Sequence, residues 1–273
     1  MLIDAYIVCW NEEKLLPFTL DYYSSFCDTI HLLDNHSSDD SLKIAATYPK
    51  VKVTQWQCEE GPDVYDDRST TIIKSFAYED LNKGADWVCI VDCDEFLYHP
   101  RIREKLEEYM YAGITLPRTR GYEMISKEFP VSGIPLTEQI KTGVYEPGMS
   151  KRAVFDPRIS LKYKCGAHEG SVQPTFGMID KNASSSEKNI PLPYTSTLKP
   201  VESPEEEVLY GDMIKVLHYK DLSPQYKIGR LKRLAARLSS WSLDTETCAH
   251  WLQTEGEINS YFERRLLEAS DVI

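Results

Sequence analysis

Three carboxylates, Asp92, Asp94 and Glu95, fall within four residues directly behind the apolar run Trp87–Val91, in the stretch WVCIVDCDEFLY. Charge at the mouth of a hydrophobic core is costly to desolvate, so either the strand ends at the surface there or something positive is held at that spot. Side chains alternate along an extended segment, so carboxylates at i and i+2 point the same way. Two hard oxygen donors so placed can share a divalent cation of the Mg2+ or Mn2+ type, which takes few protein ligands and completes its shell with water and phosphate oxygens. The competing reading is that Asp92 and Asp94 cap the strand and the element after it. This stretch alone does not separate the two.

The elements around it have a regular rhythm. Leu2–Val8 is an apolar run ending at Trp10-Asn11-Glu12, and Glu13–Ser25 carries apolar residues at helical spacing with Pro17 in its first turn. Thr29–Leu33 is a second strand, closed by the turn-forming Asp34–Asp40. A short helix over Ser41–Thr47, a strand over Val51–Trp56, a helix over Ser69–Asn82 capped by Ser69 or Thr70, and the Trp87–Val91 strand follow. Strand and helix in alternation predict an α/β fold with a mostly parallel, doubly wound sheet, whose ligands bind outside the carboxyl ends of the strands. That rule gathers Asn11-Glu12, Asp34 to Asp40 and Asp92-Asp94-Glu95 at one sheet edge.

The second half is less regular. Ile114–Pro117 reads as a strand, Gly121–Gly148 as loop with a short helix near Leu136–Ile140, and Ser150–Phe155 and Ile159–Tyr163 as extended. Residues 178–207, rich in Ser, Pro and Glu, read as a surface excursion. Met213–Tyr219 is an apolar strand, and from Gln225 a helical pattern places Ile228, Leu231, Leu234 and Leu238 on one face. The expected organisation is one catalytic domain over 1–222 and a helical extension over 223–273 packed on it.

A formal net charge of −12 argues against a nucleic-acid partner, which needs a basic face. It leaves room for an anionic small ligand, since a metal or a few local cations reverse the sign locally. Seven cysteines without a CxxC pair read as the core thiols of a reducing, cytoplasmic chain. The N-terminus lacks a basic n-region, so no signal peptide is expected, and no run approaches the roughly 20 apolar residues of a membrane span. The helix YKIGRLKRLAARL is basic and apolar enough to rest on an anionic membrane, which gives peripheral contact at the inner face as a secondary expectation.

The order of these motifs resembles the nucleotide-sugar glycosyltransferases of the GT-A fold, within them the glycosyltransferase family 2-like enzymes, and more narrowly the branch similar to glycosyltransferase family 92. The carrying residues are Asn11-Glu12 after the first strand, Asp34-Asn35-His36-Ser37-Ser38-Asp39 after the second, and Asp92-Cys93-Asp94-Glu95-Phe96 after a Trp-led strand. Ser150-Lys151, an isolated His168, His218-Tyr219 after a strand, and Lys227 with Arg230 complete the series. It covers roughly residues 3–235. The resemblance implies transfer of a sugar from a nucleotide-sugar donor, expected to be UDP-linked, to a glycan or polysaccharide acceptor in cell-surface polysaccharide synthesis.

It also implies roles. Asp34 accepts hydrogen bonds from base or ribose, with Val8, Trp10, Asn11 and Glu12 flanking the nucleotide and Arg68 or Lys74 reaching base or phosphates. Asp92 leans to ribose or metal, with Cys93 beside it, Asp94 binds the metal, and His218 is a third metal contact. Lys151 and His168 line the donor site, and Lys227 and Arg230 pair with the departing diphosphate. An imidazole ligand favours Mn2+ over Mg2+. An inverting transfer needs a carboxylate base, for which Glu169, between glycines and beside His168, is preferred over Glu123 and Asp156. Two other readings are a nucleotidyltransferase acting on a sugar phosphate, against which the first loop holds neither glycine nor cation, and a non-catalytic nucleotide- or sugar-binding module.

Overall fold

Runs rich in β-branched and aromatic residues alternate with helical spacing, and the elements form in that order: β1 (Ile3–Cys9), α1 (Leu16–Ser24), β2 (Thr29–Asp34), α2 (Ser41–Ala45), β3 (Val51–Gln55), α3 (Asp67–Leu81) and β4 (Trp87–Asp92). The structure is a computed structural model that describes residues 1–164, 170–172, 200–204, 211–246 and 248–273. β1 pairs in parallel with β2 and β4, and β2 with β3, giving the order β3-β2-β1-β4. Its central strands β1, β2 and β4 are buried on both faces, as strands of parallel sheets are, while the edge strand β3 is partly exposed. Ile3, Ala5, Ile7 and Cys9 of β1 pack with Leu16, Leu20 and Tyr23 of α1, while Tyr6 packs with Ala77 and Tyr78 of α3. The α3 cap is Asp66, whose side chain accepts from Ser69 N, one turn earlier than the sequence suggests.

The chain does not stop at the sheet edge after Asp92. Cys93 and Asp94 form a turn into β5 (Glu95–Tyr98), and α4 (Ile102–Tyr111), β6 (Thr119–Ile125), α5 (Leu136–Gln139) and β7 (Thr142–Tyr145) follow. Next come β8 (Val154–Phe155), antiparallel to β4 at the edge of the first sheet, and the small β9 (Leu161–Tyr163)–β10 (Gly170–Val172) pair. β11 (Ile214–Asp221), α6 (Pro224–Ala235), α7 (Ser240–Asp244), α8 (Glu255–Glu268) and β12 (Ser270–Asp271) complete the described elements. A second sheet has the order β12-β7-β6-β11-β5, in which only β6 and β11 run parallel.

The second sheet corrects the sequence reading of Gly121–Gly148 as mainly loop. Gly121 breaks the pattern of β6 because no side chain fits there: a Cβ would lie 2.1 Å from the Met149 carbonyl carbon. Among the described residues Ile114–Pro117 forms no strand beyond a single bridge from Leu116 to Glu202. The excursion expected over 178–207 lies mostly outside the described residues.

The apolar face of α6 is covered by the protein itself. Leu231 packs with Ile125, Ile258 and Phe262, and Ile228 and Leu234 lie against the same cluster. The membrane-resting face expected of this helix is therefore not presented to solvent. Among the described residues no helix is long and apolar enough to cross a membrane.

Candidate functional site

The turn from one sheet into the other gives Asp92–Glu95 its surroundings. β5 joins the second sheet antiparallel to β11, in a register that sets His218 opposite Glu95. Tyr219 N donates to the Asp94 carbonyl at 2.6 Å, tying the turn to β11. Ser223 caps α6, which follows β11 closely and returns Arg230 over the same turn.

Asp94 is 3% exposed. Its Oδ2 accepts from Arg230 Nη1 at 2.6 Å and lies 3.4 Å from His218 Nε2. Burial alone would raise its pKa, but Arg230 and His218 outweigh burial and hold the carboxyl well below its ordinary range. The same guanidinium donates through Nε and Nη2 to Glu12 Oε1 at 2.9 and 2.7 Å. Tyr226 donates to Glu12 Oε2 at 3.3 Å. Burial nevertheless pushes the Glu12 carboxyl up.

Glu95 is buried and paired with Lys151, while its Oε2 accepts from Asp92 N at 3.1 Å. Burial opposes its charge, yet Lys151 and Lys74 bring its pKa down to about 2. Glu95 therefore braces the turn. Asp92, one-third exposed, is the carboxylate of the three that opens to solvent, with Lys74 Nζ 2.7 Å from its Oδ1.

Asp94, Glu95 and His218 offer ligand atoms within 4.8 Å of one another. Among the described residues His218 Nδ1 is buried and has no hydrogen-bond partner. The other ring nitrogen, Nε2, faces the ionised Asp94 carboxylate, and an imidazole nitrogen and a carboxylate so placed suit a divalent cation. Asp94 and His218 thus converge as expected, whereas Asp92 is drawn toward Lys74.

A cavity of about 720 Å3 opens over this turn at the carboxyl ends of β1 and β4. Val8, Trp10, Glu12, Lys74, Asp92, Asp94, Lys151, His218, Lys227 and Arg230 all line it, so most of the candidate residues meet. Cys93 borders it, but its thiol turns into the core, 3.3 Å from the Val8 carbonyl. Lys227 lies 2.7 Å from Asp221.

Other candidates are placed elsewhere. Asp34 is fully buried, with both oxygens on the Ser37 N–H, and its neighbour Asn35 faces the cavity instead. Asn11 has a φ of 51° and binds the Ser37–Asp39 loop through its side chain, leaving Glu12 to face the ligand space. Arg68 stacks on Trp241 at 4.6 Å, off the cavity. Asp156 caps the Pro157–Ile159 turn and binds Arg158, beside Asp86 and Trp87 at the opposite end of β4. Glu123 lines the cavity, but Lys220, Arg265 and the Tyr261 hydroxyl occupy its oxygens. Burial notwithstanding, Lys220 holds its pKa down to about 2, which makes it a poor base. His168 and Glu169 lie outside the described residues.

The sequence reading missed the aromatic end of the cavity, where Trp56, Tyr65 and Trp251 join Trp10. It also missed Arg237, which lies 3.9 Å over the Trp10 ring and donates to the Pro62 and Val64 carbonyls at 3.2 and 2.9 Å. Burial pushes the Arg237 pKa down to about 10. The available signal was the density of Arg after residue 230. In a chain of net charge −12, eight Lys and Arg line the cavity against seven Asp and Glu.

No family model and no curated protein matches the chain. Among solved structures it is similar to glucosyl-3-phosphoglycerate synthase from Mycobacterium tuberculosis, in complex with Mn2+, UDP and glucosyl-3-phosphoglycerate. Identity there is 20% over 45% of this chain and 44% of that one, with a TM-score of 0.31. It is also similar to S. aureus TarS, at 12% identity over 97% of this chain and 43% of that one, with a TM-score of 0.41. A shorter form of TarS in complex with UDP matches at 16% identity over 49% of this chain and 37% of that one, with a TM-score of 0.33. The chain spans less than half the length of these structures.

Proposed function

We propose that this chain is a metal-dependent glycosyltransferase of the GT-A fold that moves a hexosyl group from a UDP-linked sugar to a glycan or polysaccharide acceptor, in cell-surface polysaccharide synthesis. The observation that carries the proposal is the Asp94–His218 pair on the floor of a large cavity at the carboxyl edge of a parallel sheet. A polar, cation-rich middle beside an aromatic end suits a diphosphate joined to a base.

In this reading the nucleotide lies with its base toward Trp10, Trp56 and Asn35 and its diphosphate toward Asp92 and Asp94. Asp94 and His218 would hold the divalent cation, with Mn2+ favoured over Mg2+ by the imidazole, and that ion would supply charge neutralisation at the diphosphate. As the sugar–phosphate bond breaks, negative charge grows on the departing diphosphate. Arg230 and Lys227 stand on that side and stabilise it most where it grows. Lys74 holds Asp92 where the ribose meets the diphosphate, and Glu95 with Lys151 keeps the turn rigid. Glu169 is the proposed base for an inverting transfer, since Glu123 is ionised and fully engaged and Asp156 lies at the far end of β4.

The test is a panel of nucleotide sugars assayed for slow donor hydrolysis with Mn2+ and with a chelator. The proposal expects one UDP-sugar to be hydrolysed only with metal, and His218→Ala to lower the rate at least about tenfold. Hydrolysis at full rate in the chelator, or in His218→Ala, would contradict it.

A further inference from the structure

Arg230 is placed where it conflicts with the role of Asp94. Its Nη1 sits 2.6 Å from Asp94 Oδ2, the oxygen that also faces His218 Nε2 at 3.4 Å. A divalent cation bound by Asp94 and His218 must meet that same region, and two cations do not share one carboxylate edge without strong repulsion. The other edge of the guanidinium is anchored separately. Nε and Nη2 both bind Oε1 of the buried Glu12, whose second oxygen is held by Tyr226. Glu12 therefore keeps Arg230 at the site whether or not Asp94 retains it.

We infer that Arg230 is an internal cation that competes with the divalent metal for Asp94, and that a nucleotide diphosphate relieves the competition by drawing Nη1 onto its own oxygens while Glu12 keeps the side chain anchored. The inference rests on the glycosyltransferase reading of this cavity. Its consequence is a linkage between two ligands: metal binding is weak without a diphosphate and strengthened by it, and by reciprocity the metal strengthens diphosphate binding equally. The energetic logic is substitution. Without ligands, Arg230 neutralises Asp94 across a direct hydrogen bond, so the buried carboxylate is paired. With both ligands, the metal takes Asp94, and Arg230 neutralises the phosphate charge. A site with no such cation would load metal first and gain from UDP only through direct phosphate–metal contact. Glu12 acts here as a positioning residue: it borders the cavity, but its oxygens are taken by Arg230 and Tyr226.

The experiment titrates Mn2+ into the folded protein, reading free Mn2+ by electron paramagnetic resonance, without and with saturating UDP. In the native chain UDP is expected to tighten Mn2+ binding about tenfold or more, within the ordinary range of coupling between sites. In Arg230→Gln, Mn2+ binding without UDP is expected to become about tenfold tighter than native, and the enhancement by UDP to shrink. This rise runs opposite to the loss that a merely structural or phosphate-binding arginine would give. Arg230→Lys keeps a charge on Glu12 but cannot fork between two carboxylates, and is expected to give an intermediate gain. It also serves as the readable variant if Arg230→Gln does not fold. Mn2+ binding in the variants equal to or weaker than native would overturn the inference while leaving the metal site standing. Failure of native and variant proteins alike to bind Mn2+, with UDP present, would overturn the proposed function and this inference with it.

Discussion

The three acids of the opening motif have three different fates, decided by neighbours far away in sequence. Asp92 opens to the cavity under Lys74, Asp94 turns to His218 and Arg230, and Glu95 is sealed against Lys151. Glu95 and Glu123 both have folded pKa values near 2 against an ordinary 4.5. A depressed carboxylate pKa adds stability that is fully present above the unfolded value and is lost as pH falls through the folded one. Stability to urea is therefore expected to hold above about pH 5 and to fall steadily toward about pH 2, each carboxylate contributing up to about 3 kcal/mol. Glu123→Gln should flatten that decline. A urea midpoint unchanged between about pH 5 and pH 3 would show that these pairs do not carry the stability assigned to them.

At the scale of elements, the first sheet was legible because its strands are continuous apolar runs separated by helical spacing, a pattern local sequence carries well. The strand that carries His218-Tyr219 was legible for the same reason, although it runs on to Asp221. The second sheet was not, because β6 is broken by Gly121 and by Arg120 and Glu123, and its pairing with β11 spans much of the chain. Asp34 was misplaced for a similar reason: the turn after β2 reverses so sharply that Asn35, not Asp34, reaches the cavity. Gly121→Ala places a methyl group on the Met149 backbone and is expected to cost about 3 kcal/mol, read as a lowered thermal or urea midpoint. A native midpoint would contradict the close approach of these segments. Arg237 ties the segment after α6 to Asn35 and the Pro62–Val64 loop. Arg237→Met should weaken UDP binding about tenfold with little change in its metal dependence, whereas unchanged UDP affinity would remove Arg237 from the nucleotide end.

At the scale of the whole molecule, the carboxyl edge of a parallel sheet supplies the acids and the segment after β11 supplies most of the cations. Lys227, Arg230, Arg237, Arg264 and Arg265 all enter the cavity from it, which is how an acidic chain builds a cation-rich cavity. The central claim is that this cavity holds a nucleotide diphosphate through a cation at Asp94 and His218. Calorimetric titration of UDP into the native protein and Asp94→Ala, each with Mn2+ and with chelator, tests it most directly. The account predicts that Mn2+ strengthens UDP binding at least about tenfold in the native protein and has no effect in Asp94→Ala. UDP binding that is indifferent to Mn2+, or a Mn2+ effect that survives intact in Asp94→Ala, would contradict it.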